Sequence, residues 1–183
     1  MWAVGDHAKQ LVEQFQTPQP KYTDARMPNY EKRDPPPQFQ EPLSPEESMK
    51  MIQVPVGFEI KLFASEPDIN KPIYMNWDER GRLWIVETMD YPNMVRDNKE
   101  EGKDMIKILE DTDGDGKADK FTVFADKLNI PTSFAFINGG IVVAQAPDFL
   151  FLKDTDGDDK ADVREKIISG WGTYDTHAGP SNF

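Results

Sequence analysis

An all-β fold built from four-stranded sheets is what three features of the sequence predict. The nine residues 111–119, DTDGDGKAD, return 43 positions later as DTDGDDKAD at residues 154–162, and a repeat near that length is the signature of one propeller blade per unit. Each copy lies between short runs of period-two hydrophobicity. Ile106 and Ile108 before the first loop answer to Phe149 and Phe151 before the second, and Val123 and Phe124 after it answer to Lys166 and Ile167. That pattern is a hairpin crossed by a charged turn. Strand–turn–strand signals recur as well, at Asp78-Glu79-Arg80-Gly81 and at Asn138-Gly139-Gly140. Together these predict a partial β-propeller, about two four-stranded blades and the start of a third, preceded by a short helix and a Pro-rich linker.

Composition narrows the function. Of 183 residues 38% are hydrophobic and mean hydropathy is −0.66, so part of the chain contributes little to a core. Nine of the 15 prolines fall between Pro18 and Pro55, which locates that part. A net charge of −12 with no basic cluster argues against nucleic acid as a partner. The absence of cysteine excludes disulfides, thiolate metal sites and covalent haem attachment within these residues. No apolar run approaches the ~20 residues needed to span a bilayer, and the first residues lack the pattern of a signal peptide.

Taken in order, residues 1–16 place Leu11, Val12 and Phe15 at helical spacing after Asp6, a capping residue, and predict a helical tail. Residues 17–53 read as a Pro-rich linker, extended at Pro35, Pro36 and Pro37 and without regular structure over 17–42. A short helix near 45–51 interrupts it, with Ser44 as cap, Pro45 at the first helical position and Glu47 completing a capping box. From residue 54 to 183 the expectation is the incomplete propeller. Phe58, Ile60 and Leu62 alternate as a strand; 74–77 and 83–86 flank the first turn, 133–137 and 141–144 the second. The run 84–91 aligns with 142–149 at an offset of 58 against 43 for the loops, so the first blade carries a 15-residue excursion, placed at residues 92–104. Residues 169–183 resemble the opening strand of a third blade, and two blades with a beginning do not close a ring, which predicts a piece of a longer protein.

The stretches SPEESMKMIQVPVGFEIKLFASEP, LEDTDGDGKADKFTVFADKLNIPTSF and WGTYDTHAGPSNF resemble the N-terminal part of the propeller of bacterial membrane-bound dehydrogenase-type proteins. Residues 69–88 resemble the first blade of pyrroloquinoline-quinone glucose/sorbosone dehydrogenases. The start, WAVGD followed by a helix, resembles the tail of an upstream ThuA-like domain. The propeller resemblance implies quinone-dependent oxidation of a sugar or alcohol hydroxyl, pyrroloquinoline quinone as cofactor, a haem c in a further cytochrome c domain, and a periplasmic or extracellular location. It also places the catalytic base at His177. Two departures stand beside it: Thr176 occupies the position before that histidine where the sugar enzymes have aspartate, and residues 129–133 offer no counterpart to their cofactor-contacting glutamine.

The candidate sites follow. Asp111, Asp113, Asp115 and Asp119 occupy positions one, three, five and nine of a calcium-loop pattern, with the carbonyl of Lys117 at seven. In the second loop Asp154, Asp156, Asp158, the carbonyl of Lys160 and Asp162 repeat it, Glu165 stands at twelve, and Asp159 replaces a glycine. The alternative is a solvated turn closed by Asx-type hydrogen bonds. His177 is a base or a surface loop residue. Trp171 and Tyr174 are candidates to line its pocket, whereas Trp77, Trp84, Phe134 and Phe136 lie at strand spacing and predict packing between blades. Two function classes remain: a quinone-dependent sugar or alcohol dehydrogenase, and a calcium-binding propeller module that binds carbohydrate or protein without catalysis.

Overall fold

The computed structural model describes residues 22–24, 38–93, 95–177 and 179–181, the strands at 22–24 and 38–40 by backbone alone. It divides into two compact units, Met1–Leu62 and Phe63–Phe183. The predicted helical tail over 1–16 and the extended prolines at 35–37 lie outside the described residues.

In the first unit, β1 (Tyr22–Asp24) pairs antiparallel with β2 (Gln38–Gln40). This corrects the expectation of no regular structure over 17–42: three residues on each side suffice for a short ladder when extended chain meets extended chain. Helix α1 (Pro45–Met49) carries the capping box, Glu47 N–H donating to Ser44 Oγ at 3.2 Å and Ser44 N–H to Glu47 Oε2 at 3.1 Å. Residues 58–62 form no strand, contrary to their alternation. Phe58 is 73% exposed, and a strand without a ladder partner has unpaired backbone and nothing to hold it.

The second unit is two antiparallel four-stranded sheets, each folded in sequence order, a propeller-like all-β arrangement. Sheet one comprises β3 (Pro72–Trp77), β4 (Leu83–Glu87), β5 (Asp104–Glu110) and β6 (Lys120–Leu128); sheet two comprises β7 (Ser133–Ile137), β8 (Gly140–Gln145), β9 (Asp148–Lys153) and β10 (Val163–Ser169). The β7–β8 turn uses Asn138 and Gly139, both at positive φ, the conformation that matches strand twist in a two-residue hairpin.

The registers repeat as the offsets require. Leu83 faces Leu109 as Ile141 faces Leu152, and both outer pairings slip at the same place, Phe124 in sheet one and Ile167 in sheet two. The sheets stack with unlike faces together. Trp84, Val86, Ile106 and Ile108 of sheet one pack on Phe134, Ile141, Val143, Leu150 and Leu152 of sheet two. Sheet one's other face, Leu83, Ile85 and Leu109, packs on Phe63, Ala64 and Ile69. The burial of equivalent positions therefore inverts. Ile106 and Ile108 are fully buried, whereas Phe149 and Phe151 are half-buried and Leu150 and Leu152 carry the core. Trp84 is the hub of the interface, with Phe124 at 4.6 Å, Phe136 at 5.3 Å and Phe134 at 6.2 Å between ring centroids. Trp77, expected among these packed aromatics, is instead 53% exposed, because it points to the opposite side of β3.

Candidate functional site

The loops divide by end. At the end where β3 and β7 begin, the expected excursion is a strap, closed by a 3-10 turn at Lys99–Glu101. It lies so close to β6 that a Cβ on Gly102 would stand 1.9 Å from the Leu128 carbonyl oxygen, which only glycine permits. The strap brings a cation to the equivalent aspartate of each sheet. Arg96 grips buried Asp90 with two hydrogen bonds, Nε to Oδ2 at 2.9 Å and Nη2 to Oδ1 at 2.6 Å. Lys99 donates to the Ala146 carbonyl at 2.7 Å and stands 3.7 Å from Asp148 Oδ2, which also takes Lys166 Nζ at 2.9 Å.

Behind the strap lies a buried polar network. Asn129 Nδ2 donates to Asp90 Oδ2 at 2.9 Å, Asn129 Oδ1 accepts from Arg96 N–H, and Asn129 N–H donates to Gln145 Oε1 at 2.7 Å, joining the two sheets. Asp104 accepts from Thr88 Oγ1, Asp90 N–H and Ile130 N–H. The Arg96 guanidinium is the main force holding the Asp90 carboxyl down to about 2, while burial pushes Asp104 up.

A cleft of about 350 Å³ opens at the same end, lined by Ile73, Tyr74, Thr88, Tyr91, Ile130, Thr132, Thr176, His177 and Ser181. His177 meets the Tyr91 ring edge to face at 5.5 Å. Its backbone N–H and its Nδ1 both reach Asp175 Oδ1, at 2.9 and 3.1 Å, and these two contacts hold the Asp175 carboxyl below its ordinary range. A carboxylate can only accept, so the pair favours the proton on Nδ1 and leaves Nε2 as the basic nitrogen. Sequence reasoning placed Thr176 where a partner aspartate was expected; Asp175, one position earlier, reaches the ring instead because the chain turns at 176–177.

Trp171 and Tyr174 do not join the cleft's lining. Trp171 stacks on Phe149 at 4.2 Å, on the side of sheet two away from sheet one, and Tyr174 is 97% exposed. Sequence reasoning missed Tyr91 and Thr132 as cleft residues and the Asp90–Arg96–Asn129 network. The one signal for the latter was that Asp90 and Asp148 fall together in the 58-residue alignment.

At the opposite end lie the two acidic loops. Each gathers three carboxylates whose oxygens come within 4.8 Å of one another: Asp111, Asp113 and Asp115 in the first, Asp154, Asp156 and Asp162 in the second. Asp119 accepts from the hydroxyl and N–H of Thr112, which hold its carboxyl below its ordinary value, just as Asp162 accepts from Thr155, and Asp158 accepts from Lys160 N–H. Glu165 lies within β10, paired with Phe151. Backbone N–H groups converge on the first aspartate of each loop: Gly114, Asp115 and Gly116 on Asp111, and Asp156, Gly157 and Asp159 on Asp154. Burial opposes ionisation of Asp154, and those N–H donors outweigh it.

Each loop also latches its sheet to the layer before it. Ala118 N–H donates to the Phe63 carbonyl and Ala161 N–H to the Phe124 carbonyl. Asp159, which stands where the first loop has Gly116, keeps a glycine-like φ of 63° and spends its side chain on Arg82 Nη1 at 2.8 Å. Arg82 also holds Asp78, so the departure from the calcium pattern is a clamp between the sheets.

The family whose description is a domain of unknown function, DUF7133, matches residues 44–183. The chain belongs to the DUF7133 family. Both sheets, the strap, the cleft and both acidic loops fall inside the DUF7133 region, which begins at the Ser44 helix cap. No curated protein and no solved structure matches the chain. No helix among the described residues is long and apolar enough to cross a membrane.

Proposed function

We propose that the cleft beside His177 binds a sugar or alcohol and that His177 Nε2 accepts the proton of its hydroxyl, the chain's part in a dehydrogenase-type reaction. The observation that carries this reading is the imidazole on the cleft wall with Asp175 on its Nδ1, the arrangement that leaves the other ring nitrogen free to accept a proton. Tyr74, Tyr91, Thr132 and Ser181 supply the hydroxyl-bearing surroundings suited to a polyol. The resemblance to quinone-dependent sugar dehydrogenases supports the substrate class and a periplasmic or extracellular setting.

Pyrroloquinoline quinone carries three carboxylates, and the described residues lining the cleft include no lysine or arginine. They do not fit that group, so a hydride acceptor would be held by other residues, and what this cleft contributes is binding and proton transfer. In the intact protein His177→Gln is expected to lower turnover about a hundredfold. Circular dichroism should show the fold unchanged, since His177 is exposed. Turnover retained within a few-fold would demote His177 to a loop residue.

The acidic loops support a second reading, a calcium-binding module. Three converging carboxylates repel one another unless a cation stands between them. Calcium is then expected to raise the melting temperature with concentration, and Asp113→Ala and Asp156→Ala each to remove part of that rise. Calorimetry showing no binding at millimolar calcium would leave the loops as the latches described above.

A further inference from the structure

We propose that Tyr91 is the specificity-determining residue of the cleft. Its phenol holds a second hydroxyl of the ligand while His177 faces the first, so the cleft selects diols over compounds with a single hydroxyl, a step that rests on the cleft binding hydroxyl compounds at all.

The described side chains lining the cleft include no carboxylate, lysine or arginine, so hydroxyl groups and one imidazole are all they offer for polar recognition. Two of those hydroxyls are spent inside the protein. Thr88 Oγ1 donates to Asp104 Oδ2 at 3.1 Å, and Thr132 Oγ1 donates to the Pro180 carbonyl, which ties residues 179–181 to the start of β7. The hydroxyls of Tyr74 and Tyr91 have no hydrogen-bond partner among the described residues, although both residues are half-buried. A phenol in a half-buried wall needs a partner. In the cleft that partner is solvent until a ligand takes its place.

Of the unpaired hydroxyls, which include those of Thr176 and Ser181, that of Tyr91 belongs to the ring in direct contact with the imidazole, 5.5 Å between centroids. Tyr74 leans on Phe134 instead, at 5.1 Å. Hydrogen-bond capacity divides the labour. With the proton on Nδ1, His177 Nε2 only accepts, so it takes the O–H of one hydroxyl, whereas a phenol donates and accepts and pairs with a neighbouring hydroxyl in either sense. A ligand with one hydroxyl fills one position and leaves the other to water. A diol fills both, and its second hydrogen bond is intramolecular once the first is made.

Glycerol and propan-1-ol share three carbons and differ in hydroxyl count, so titrating the whole chain with each and following the His177 Nε2 signal tests this. Glycerol should saturate the shift at about tenfold lower concentration than propan-1-ol, the scale of one added hydrogen bond. Tyr91→Phe keeps the ring against His177 and removes only the hydroxyl. It should weaken glycerol about tenfold and leave propan-1-ol unchanged, which erases the preference. A purely packing role for Tyr91 leaves the preference intact in that variant, and this result would overturn the proposal. So would equal midpoints for the two ligands in the wild type, which need no variant to be read, or a preference lost in Tyr74→Phe and kept in Tyr91→Phe. Each of those outcomes leaves the cleft as a hydroxyl site. Indifference of the Nε2 signal to both ligands would remove the cleft's role itself, and the choice of Tyr91 with it.

Discussion

Arg96→Ala is expected to destabilise the fold by about 3 kcal/mol, because it strands a carboxylate. The Asp90 side chain is 4% exposed and Arg96 gives it two hydrogen bonds. Asn129 Nδ2 and Lys103 N–H remain after the substitution but carry no neutralising charge within the strap's grip. The cost sits at the low end of the range for broken buried pairs, since the Arg96 side chain is one-third exposed. The pH dependence has a definite sign. Asp90 titrates at about 2 in the fold, below its ordinary 3.8. A depressed carboxyl stabilises above its unfolded pKa and ceases to do so as pH falls through the folded one, here between about 4 and 2, a contribution of about 2 kcal/mol. Without Arg96 the folded pKa rises, so urea midpoints of the variant should approach those of wild type at the acid end of that window and diverge above it. Asp104 works in the opposite sense: burial raises its carboxyl, and protonation in acid relieves that strain on the fold. A wild-type and variant difference independent of pH would contradict the pairing.

Phe134→Ala is expected to cost about 4 kcal/mol, the upper part of the range for a large core truncation. The ring is fully buried and touches Tyr74, Trp84 and Phe136, which come from both sheets, so little can collapse into the void. Trp77→Ala is the matched control on the first strand of sheet one. At 53% exposure it should cost no more than about 1 kcal/mol. Urea midpoints with an unchanged slope would read the two directly. Equal costs would mean that the sheets do not stack through this face.

The repeat made the sheets legible, because the two offsets, 43 for the loops and 58 for the inner strands, dictate which residues pair, and Leu83–Leu109 and Ile141–Leu152 pair accordingly. Periodicity alone did not reveal which face is buried. Phe149 and Phe151 match Ile106 and Ile108 in sequence but face away from the other sheet, and burial is decided by what the opposite layer supplies. Alternation at Phe58, Ile60 and Leu62 suggested a strand where no ladder forms, since strand pairing is a property of two segments. The site was half legible. His177 was singled out by resemblance, but Asp175 as its partner depends on a two-residue turn. Arg96 meets Asp90 only after the strap folds back, six positions along a stretch whose composition reads as polar loop.

The most direct test of the proposed role of the cleft is the imidazole NMR spectrum of the chain during titration with D-glucose and, separately, glycerol. The chain has two histidines, His7 and His177, so their ring signals are separable by one substitution. The His177 ring nitrogens should report a proton on Nδ1 and a basic Nε2, and the Nε2 signal should shift saturably with at least one of the two ligands while His7 stays fixed. Asp175→Asn should weaken the Nδ1 preference. A His177 ring that is indifferent to both ligands, with its proton free to sit on either nitrogen, would contradict a role for this cleft in binding and deprotonating hydroxyl compounds.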